Sequence, residues 1–287
     1  MSDIIEIKGK PMPYPDYLEI EYHNKMLSLI ERMEKDVGNE LVKLAKSPEA
    51  KAYSKQSMSD SSAMDMGTFA ALQKKVMNAL FKKWTKVFNQ VARPWADTLI
   101  TKTDKASNQG IKNSTEDLPV NSVIAANAIP PALKQSIRTS INENVELIKS
   151  LPNKYLTDLK GDMDRLITGT GAGMEYIQDQ IARNMINRNG QVERRARNIA
   201  TDQVRKVYAD MNNSRLQKAG ITHFEWKHRG GSKEPRPLHL HKLNGNIYAY
   251  NDPPVIDDRT GQRGLPSQLP NCKCSARPVY RYEEPSD

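Results

Sequence analysis

Gly220-Ile221-Thr222-His223-Phe224-Glu225-Trp226-Lys227 separates two textures in this chain of 287 residues. Before it, apolar residues recur at helical spacing over long stretches. After it, Pro and Gly punctuate short segments. Thr222–Lys227 and Asn246–Tyr250 read as strands, and Gly220 as the C-cap of the helix before them. The expected fold class is therefore α+β: a mostly helical N-terminal two-thirds and a small C-terminal α+β module with a few short strands.

Upstream, Leu18, Tyr22, Met26, Leu29, Met33, Val37, Leu41 and Leu44 repeat every three or four residues and predict a helix over 16–46, ended by Ser47-Pro48. Residues 51–65 are Ser-rich and read as a mobile linker. A second helix is expected over 68–92, ended or kinked at Pro94, and 101–118 reads as partly helical. Pro130-Pro131 opens another, with Pro152 beyond its end, followed by helices at 154–168, 173–188 and 191–219. The expected division is 1–65, an N-terminal arm and linker; 66–185, a helical region; and 186–287, the C-terminal module.

The chain is hydrophilic, with mean hydropathy −0.70, and no run of 18 apolar residues suits a membrane span. The first residues, Met1-Ser2-Asp3-Ile4-Ile5-Glu6, lack a signal peptide's basic and apolar regions, so an intracellular protein is expected. Two Cys one residue apart do not make a disulfide framework. The net charge of +9 is concentrated: residues 181–287 hold 19 Lys+Arg against 11 Asp+Glu. Thirteen Arg lie after residue 180 and four before it. Arg is the better residue for phosphate forks, so nucleic acid or an acidic protein surface is one expected partner; a solvated basic face accounts for the charge equally well.

The C-terminal third also collects four of the five His and both Cys. His239-Leu240-His241 and Cys272-Lys273-Cys274 form a two-by-two set. In extended backbone, residues i and i+2 share a face, so each pair would offer two ligands to one point. His239, His241, Cys272 and Cys274 are thus candidate ligands of one Zn²⁺ clip. Alternatively, the imidazoles hydrogen-bond backbone and the thiols pack as small hydrophobes. No catalytic residue is assigned, since no Ser elbow, HExxH or deaminase signature is present. Gly169-Thr170-Gly171-Ala172-Gly173 lacks the preceding strand of a dinucleotide loop and reads as a helix-to-helix turn. On the basic helix 191–219, Arg194, Arg195, Arg197, Arg205 and Lys206 are candidate nucleic-acid contacts, or a solvated face paired with Asp202 and Asp210.

Taken in order, these segments resemble the phage head morphogenesis (minor head protein) family, which includes protein F of bacteriophage Mu. The likeness rests on Arg195–Gln203, Glu225-Trp226, Pro235-Arg236-Pro237 with a following His, Leu243-Asn244-Gly245, Asp252–Asp257 and Asn271-Cys272-Lys273-Cys274. It extends upstream to Ile141–Ser150. The family pattern has one His five residues before the Gly, whereas His239 and His241 lie six and four before Gly245. The resemblance implies a minor capsid protein without enzymatic activity. Such a protein acts in procapsid assembly, first in the host cytoplasm and then inside the phage head. It implies contacts with the portal protein, with major capsid or scaffold protein and, non-specifically, with double-stranded DNA. Another class is a phage-encoded nuclease or transferase using the His239/His241/Cys272/Cys274 set. A third is a prophage DNA-binding protein acting on the host side.

Overall fold

The stripe that begins at Leu18 forms the first of four long helices among the described residues. The computed structural model describes residues 4–56, 63–127, 130–169, 174–230 and 234–283. Its long helices are α1 (Asp16–Ala45), α3 (Ala63–Ser114), α5 (Pro131–Gly169) and α6 (Met174–Lys218), with the shorter α2 (Pro48–Gln56) and α4 (Ser122–Asn127) between them. Strand β1 (Ile4–Lys8) precedes the helices. After them come β2 (His223–Lys227), a π-helical segment Leu238–Leu243, β3 (Ile247–Ala249), β4 (Val255–Asp257), β5 (Gln262–Arg263) and β6 (Ser275–Glu283). The chain is α+β, helical up to Lys218 with a small module of short antiparallel strands after it. Among the described residues, no helix is long and apolar enough to cross a membrane.

The helices run further than their prolines and glycines imply. Helix α3 continues through Pro94, and α5 through Pro152. An internal proline costs about 3 kcal/mol. On either side of Pro94, however, Phe88, Ala92, Ala96 and Leu99 continue one buried stripe, as Ile148, Leu151, Tyr155 and Leu159 do around Pro152. Burial along an unbroken stripe outweighs the local penalty. The two helices expected at 173–188 and 191–219 are likewise one, α6. Arg188 and Asn189, where a break was expected, are tied to α5: Arg188 donates from Nε and Nη2 to Asp162 (2.8 and 3.0 Å), and Tyr155 Oη donates to Asn189 (3.0 Å). Of the stretch expected as a linker, residues 51–56 belong to α2, while 57–62 lie outside the described residues. Residues 170–173 of the Gly-rich stretch expected as a turn also lie outside them.

Two compact units divide the chain. One comprises Met1–Glu21, Ala96–Glu143 and Ala200–Asp287; the other, Tyr22–Trp95 and Asn144–Ile199. All four boundaries fall inside long helices rather than at linkers. The units therefore interleave in sequence, whereas the expected division at 65 and 185 followed chain order. No change of composition marks a boundary inside a continuous helix.

In the first unit, a four-stranded antiparallel sheet has the order β1-β6-β2-β3. Strand β1 pairs with β6 from Ile4↔Glu283 to Lys8↔Val279, so the first described residues complete the C-terminal sheet. The sheet covers a core that includes Phe224, Trp226, Leu243, Tyr250, Ile256, Cys272 and Cys274. Glu225 is buried, and Lys227 Nζ (2.9 Å), Arg277 Nη1 (3.4 Å) and Lys8 Nζ (3.5 Å) surround its carboxylate. Burial alone would push this carboxyl up; the three cations outweigh it and hold it below the ordinary range. Arg215 on α6 is buried too, pairing with Asp104 (2.5 Å) and donating to Ser107 Oγ (2.6 Å) on α3. Gly110 in α3 is explained by a close approach: a Cβ there would lie 2.5 Å from Tyr208 Oη. Gly220, with φ +87°, ends α6 in the left-handed region as expected of a C-cap.

Among its described residues the second unit contains only helices and the turn Lys46-Ser47 between α1 and α2. Asp36 on α1 accepts from Lys83 Nζ (2.7 Å) and Trp84 Nε1 (2.8 Å) on α3, and Tyr22 Oη donates to Asn144 on α5 (3.1 Å). Glu34 on α1 stands out because its Oε1 is buried with no hydrogen-bond partner among the described residues. Burial, with Glu193 and Glu31 nearby, pushes its carboxyl up to about 7. Its folded-state value thus lies above the unfolded one. The stability it contributes is present at low pH and lost as pH rises through about 7. Glu34→Gln is expected to raise the melting temperature at pH 8 and to flatten the decline between pH 6.5 and 8. That window lies above the titration of His23, which burial and Arg197 hold below its ordinary range. Thermal melts across the window check this; an unchanged slope in the variant would refute it.

Candidate metal centre

Pro235-Arg236-Pro237 leads directly into the π-helical segment, a position where a fixed proline φ is compatible with a helical start. This turn buries His239, which is 2% exposed, and leaves His241 exposed. The two imidazoles were expected on one face, which requires extended backbone. In a helical turn, residues two apart point to nearly opposite sides, so His241 does not join His239. The Cys pair has the same spacing but the other backbone. Leu269-Pro270-Asn271-Cys272 forms a turn closed by Cys272 N–H to Leu269 O (3.1 Å), with Asn271 at φ +57°. Pro followed by a residue of positive φ suits such a turn, and Asn tolerates that conformation. The chain then runs extended through Cys272-Lys273-Cys274 into β6, and both thiols are buried.

His239, Cys272 and Cys274 form a cluster whose ligand atoms lie within 4.8 Å of one another and which can hold a metal ion. The hydrogen bonding of the ring fixes its chemistry. His239 Nε2 lies 2.8 Å from the carbonyl oxygen of Ile256, which can only accept, so Nε2 carries the proton. In the neutral ring, Nδ1 then presents its lone pair to Cys272 Sγ (3.5 Å) and Cys274 Sγ (3.6 Å). A ring nitrogen tied to a backbone carbonyl while the other faces the ligand site is the usual outer support of a metal-binding His. Trp226 packs edge-on against the imidazole at 5.1 Å between centroids and holds it from the side.

The two thiols share a hydrogen bond, and that sharing separates them. The proton from Cys274, with His239 alongside, holds the Cys272 thiol well below its ordinary range, while the shared hydrogen bond and burial push Cys274 up. Burial works against a protonated His239, but Cys272 and the Ile256 carbonyl outweigh it and raise the imidazole. A metal ion would displace the protons from this set.

Further contacts bring the motif segments together. Asn271 N–H donates to Asp202 Oδ1 on α6 (2.9 Å), and Arg236 Nη2 to Pro270 O (3.0 Å). Gly245 N–H donates to Trp226 O (2.8 Å), Trp226 N–H to Asn246 O (2.9 Å), and His228 N–H to Asn244 Oδ1 (2.9 Å). The sequence reading missed Asp202 and the Ile256 carbonyl as parts of this node. Asp202 had been read as a surface partner for basic residues, and a backbone acceptor leaves no mark in sequence.

The candidate nucleic-acid contacts separate. Arg194 and Arg197 are exposed, three residues apart on α6 and so on neighbouring positions of one face. Arg195 is half-buried and donates to Ser150 Oγ (3.0 Å). Arg205 is buried and ion-paired with Glu19 (2.9 Å), which removes it from the phosphate-contacting set. Lys206 pairs with Glu143 (2.6 Å). Helical periodicity marks which residues share a face but not which faces meet acidic side chains from distant segments.

No family model and no solved structure matches the chain. An uncharacterized protein of Haemophilus influenzae is 22% identical to it over 279 residues, 96% of this chain. The chain spans 56% of that protein's length.

Titration with Co²⁺ tests the centre, since thiolate ligation gives the ion charge-transfer absorption. His241→Ala is expected to retain that absorption and to change stability by less than about 0.5 kcal/mol. His239→Ala should abolish it and cost about 1–3 kcal/mol without metal, because the Ile256 carbonyl is left buried without a donor. Equal loss in both variants would place the ligands elsewhere.

Proposed function

We propose that this chain is a minor head-assembly protein of a phage, acting in procapsid formation at the portal and lying beside packaged DNA in the head interior. The observation that carries the reading is the meeting of the ordered segments. The basic helix, Glu225-Trp226, Pro235-Arg236-Pro237 with the following His239, Leu243-Asn244-Gly245, Asp252–Asp257 and Asn271–Cys274 each contact at least one other through the bonds described above. The order that underlies the family resemblance therefore coincides with one folded node. The Haemophilus relative names no activity.

In this reading the ion is zinc and its role is structural. With Zn–N near 2.05 Å and Zn–S near 2.3 Å, a tetrahedral ion separates its N and S ligands by about 3.6 Å. His239 Nδ1 stands 3.5 and 3.6 Å from the two sulfurs. The ion would clasp the turn at residue 239 to the strand entrance at 272–274, which helps a unit whose strands are short. Partners are the portal protein, major capsid or scaffold protein and double-stranded DNA. The DNA contact falls to Arg194 and Arg197, with Arg195 beside them, and not to Arg205.

A phage enzyme is the second reading. Three protein donors, the number found in the cluster, are also what a catalytic zinc keeps when one position is open to substrate. Against it, solvent meets only 2–4% of each donor residue. Metal-dependent cleavage of DNA by the purified chain, lost in Cys272→Ser, would favour the enzyme.

Quantitative mass spectrometry of purified procapsids and mature heads, with portal pull-downs from the same lysate, tests the assembly role. A few copies per particle recovered with the portal are expected; absence from both would overturn it. For DNA, Arg194→Ala/Arg197→Ala should weaken binding uniformly across sequences and lower the dependence of log K on log salt by about two phosphate contacts. Arg205→Gln should leave that slope unchanged.

A further inference from the structure

Trp226 stands in β2, which the sheet order places between β6 and β3. Its backbone is held from both sides. It pairs with Ala276 of β6, its N–H donates to Asn246 O (2.9 Å), and its carbonyl accepts from Gly245 N–H (2.8 Å). Side chains alternate along a strand, so Phe224 and Trp226 enter the core while Glu225 takes the other face. Cys274 precedes Ala276 by two residues of extended chain and shares its face. That puts Cys274 diagonally across from Trp226, within reach of an aromatic side chain. The indole is fully buried, and its Nε1 makes no hydrogen bond among the described residues. The indole of Trp84, by contrast, donates to Asp36 at 2.8 Å. A buried N–H without an acceptor is costly, so the place of Trp226 calls for one. Sulfur is at hand. The hydrogen bond shared with Cys272 and burial push the Cys274 thiol up, and the indole N–H works the other way, in favour of the thiolate.

We infer that Trp226 is a positioning residue of the metal centre: with an ion bound, its indole N–H donates to the Cys274 sulfur and holds that ligand in place. The inference rests on the metal-centre reading and not on the head-assembly role. A thiol sulfur is a weak acceptor. Ligation replaces the thiol proton by the ion and makes the sulfur anionic, which strengthens it as an acceptor. The charge count fits. A neutral His239, two thiolates and a divalent ion sum to zero, and the three donor residues are 2–4% exposed. An indole dipole stabilises the sulfur there without bringing a further charge into the core, as a Lys or Arg would.

The test compares wild type with Trp226→Phe, which keeps a ring in place and removes the donor. In ¹⁵N–¹H spectra of the full chain, Zn²⁺ should move one indole resonance downfield, the one missing from Trp226→Phe. Trp84 and Trp95, which belong to the other unit, serve as references. With Co²⁺, loss of an N–H from a thiolate raises the sulfur donor level. The charge-transfer band of Trp226→Phe should therefore lie at longer wavelength than that of the wild type, with affinity about tenfold weaker or more. If Trp226→Phe fails to fold, the wild-type indole shift decides alone, assigned with Trp84→Phe and Trp95→Phe. An indole resonance unmoved by Zn²⁺, or a Co²⁺ band at unchanged wavelength in Trp226→Phe, would overturn the inference while leaving the centre intact. Absence of any charge-transfer band in the wild type would instead remove the centre, and the inference with it.

Discussion

The hydrogen bond from His239 Nε2 to the Ile256 carbonyl is the constraint on which the C-terminal module turns. A carbonyl cannot donate, so this bond assigns the ring's proton without reference to any metal. Once that proton is assigned, Nδ1 is aimed at the two sulfurs, and the ring face is left for Trp226. One backbone acceptor thus fixes the tautomer, the ring plane and the chemistry of the cluster. It also ties the helical turn at 238–243 to β4, two segments with few residues of their own to bury.

The two halves of the expected ligand set show how far sequence carries such a site. Both pairs have the spacing i, i+2, and both were read as extended. For the cysteines, the turn at Leu269–Cys272 delivers the chain into β6 in extended form, and both thiols stay together. For the histidines, the turn after Pro237 is helical, and the same spacing sends His241 to solvent. The residue types were legible; the backbone that would aim them was not. Pro235-Arg236-Pro237 held a clue, because proline at a helix start is favourable. A six-residue π-helical segment nonetheless has no period long enough to reveal itself.

The fold follows the same division between local and distant causes. Amphipathic periodicity located every long helix, because the buried stripe is written into the residues themselves. It failed at Pro152 and at residues 189–190, where ends were expected, while at Pro94, expected to end or kink its helix, α3 continues. There the continuing stripe, or a salt link such as Arg188 with Asp162, was set by a neighbouring helix. Strand β6 carries Pro278 in its interior, a residue that argues against a strand because proline is normally confined to sheet edges. Strand β1 was missed for a different reason: its partner lies some 270 residues away, as in the pairing of Lys8 with Val279. Arg205 and Arg194 looked equivalent on one basic helix, yet Glu19 from α1 turned the first into a buried ion pair.

That last contrast separates the exposed cations of one basic helix from its buried one. A guanidinium exposed on α6 is available to phosphate, and its interaction is weakened by salt. The same group inside the fold is desolvated, so its attraction for an anion is stronger and less screened, but it is tolerated only with compensation. Glu19 supplies one part of that compensation to Arg205 and leaves Nη1 unsatisfied. The Tyr14 ring, 5.6 Å from the guanidinium carbon, supplies another. Removing Arg205 to an apolar residue would strand Glu19. Count of basic residues alone cannot separate Arg205 from the surface charges a few turns earlier on the helix.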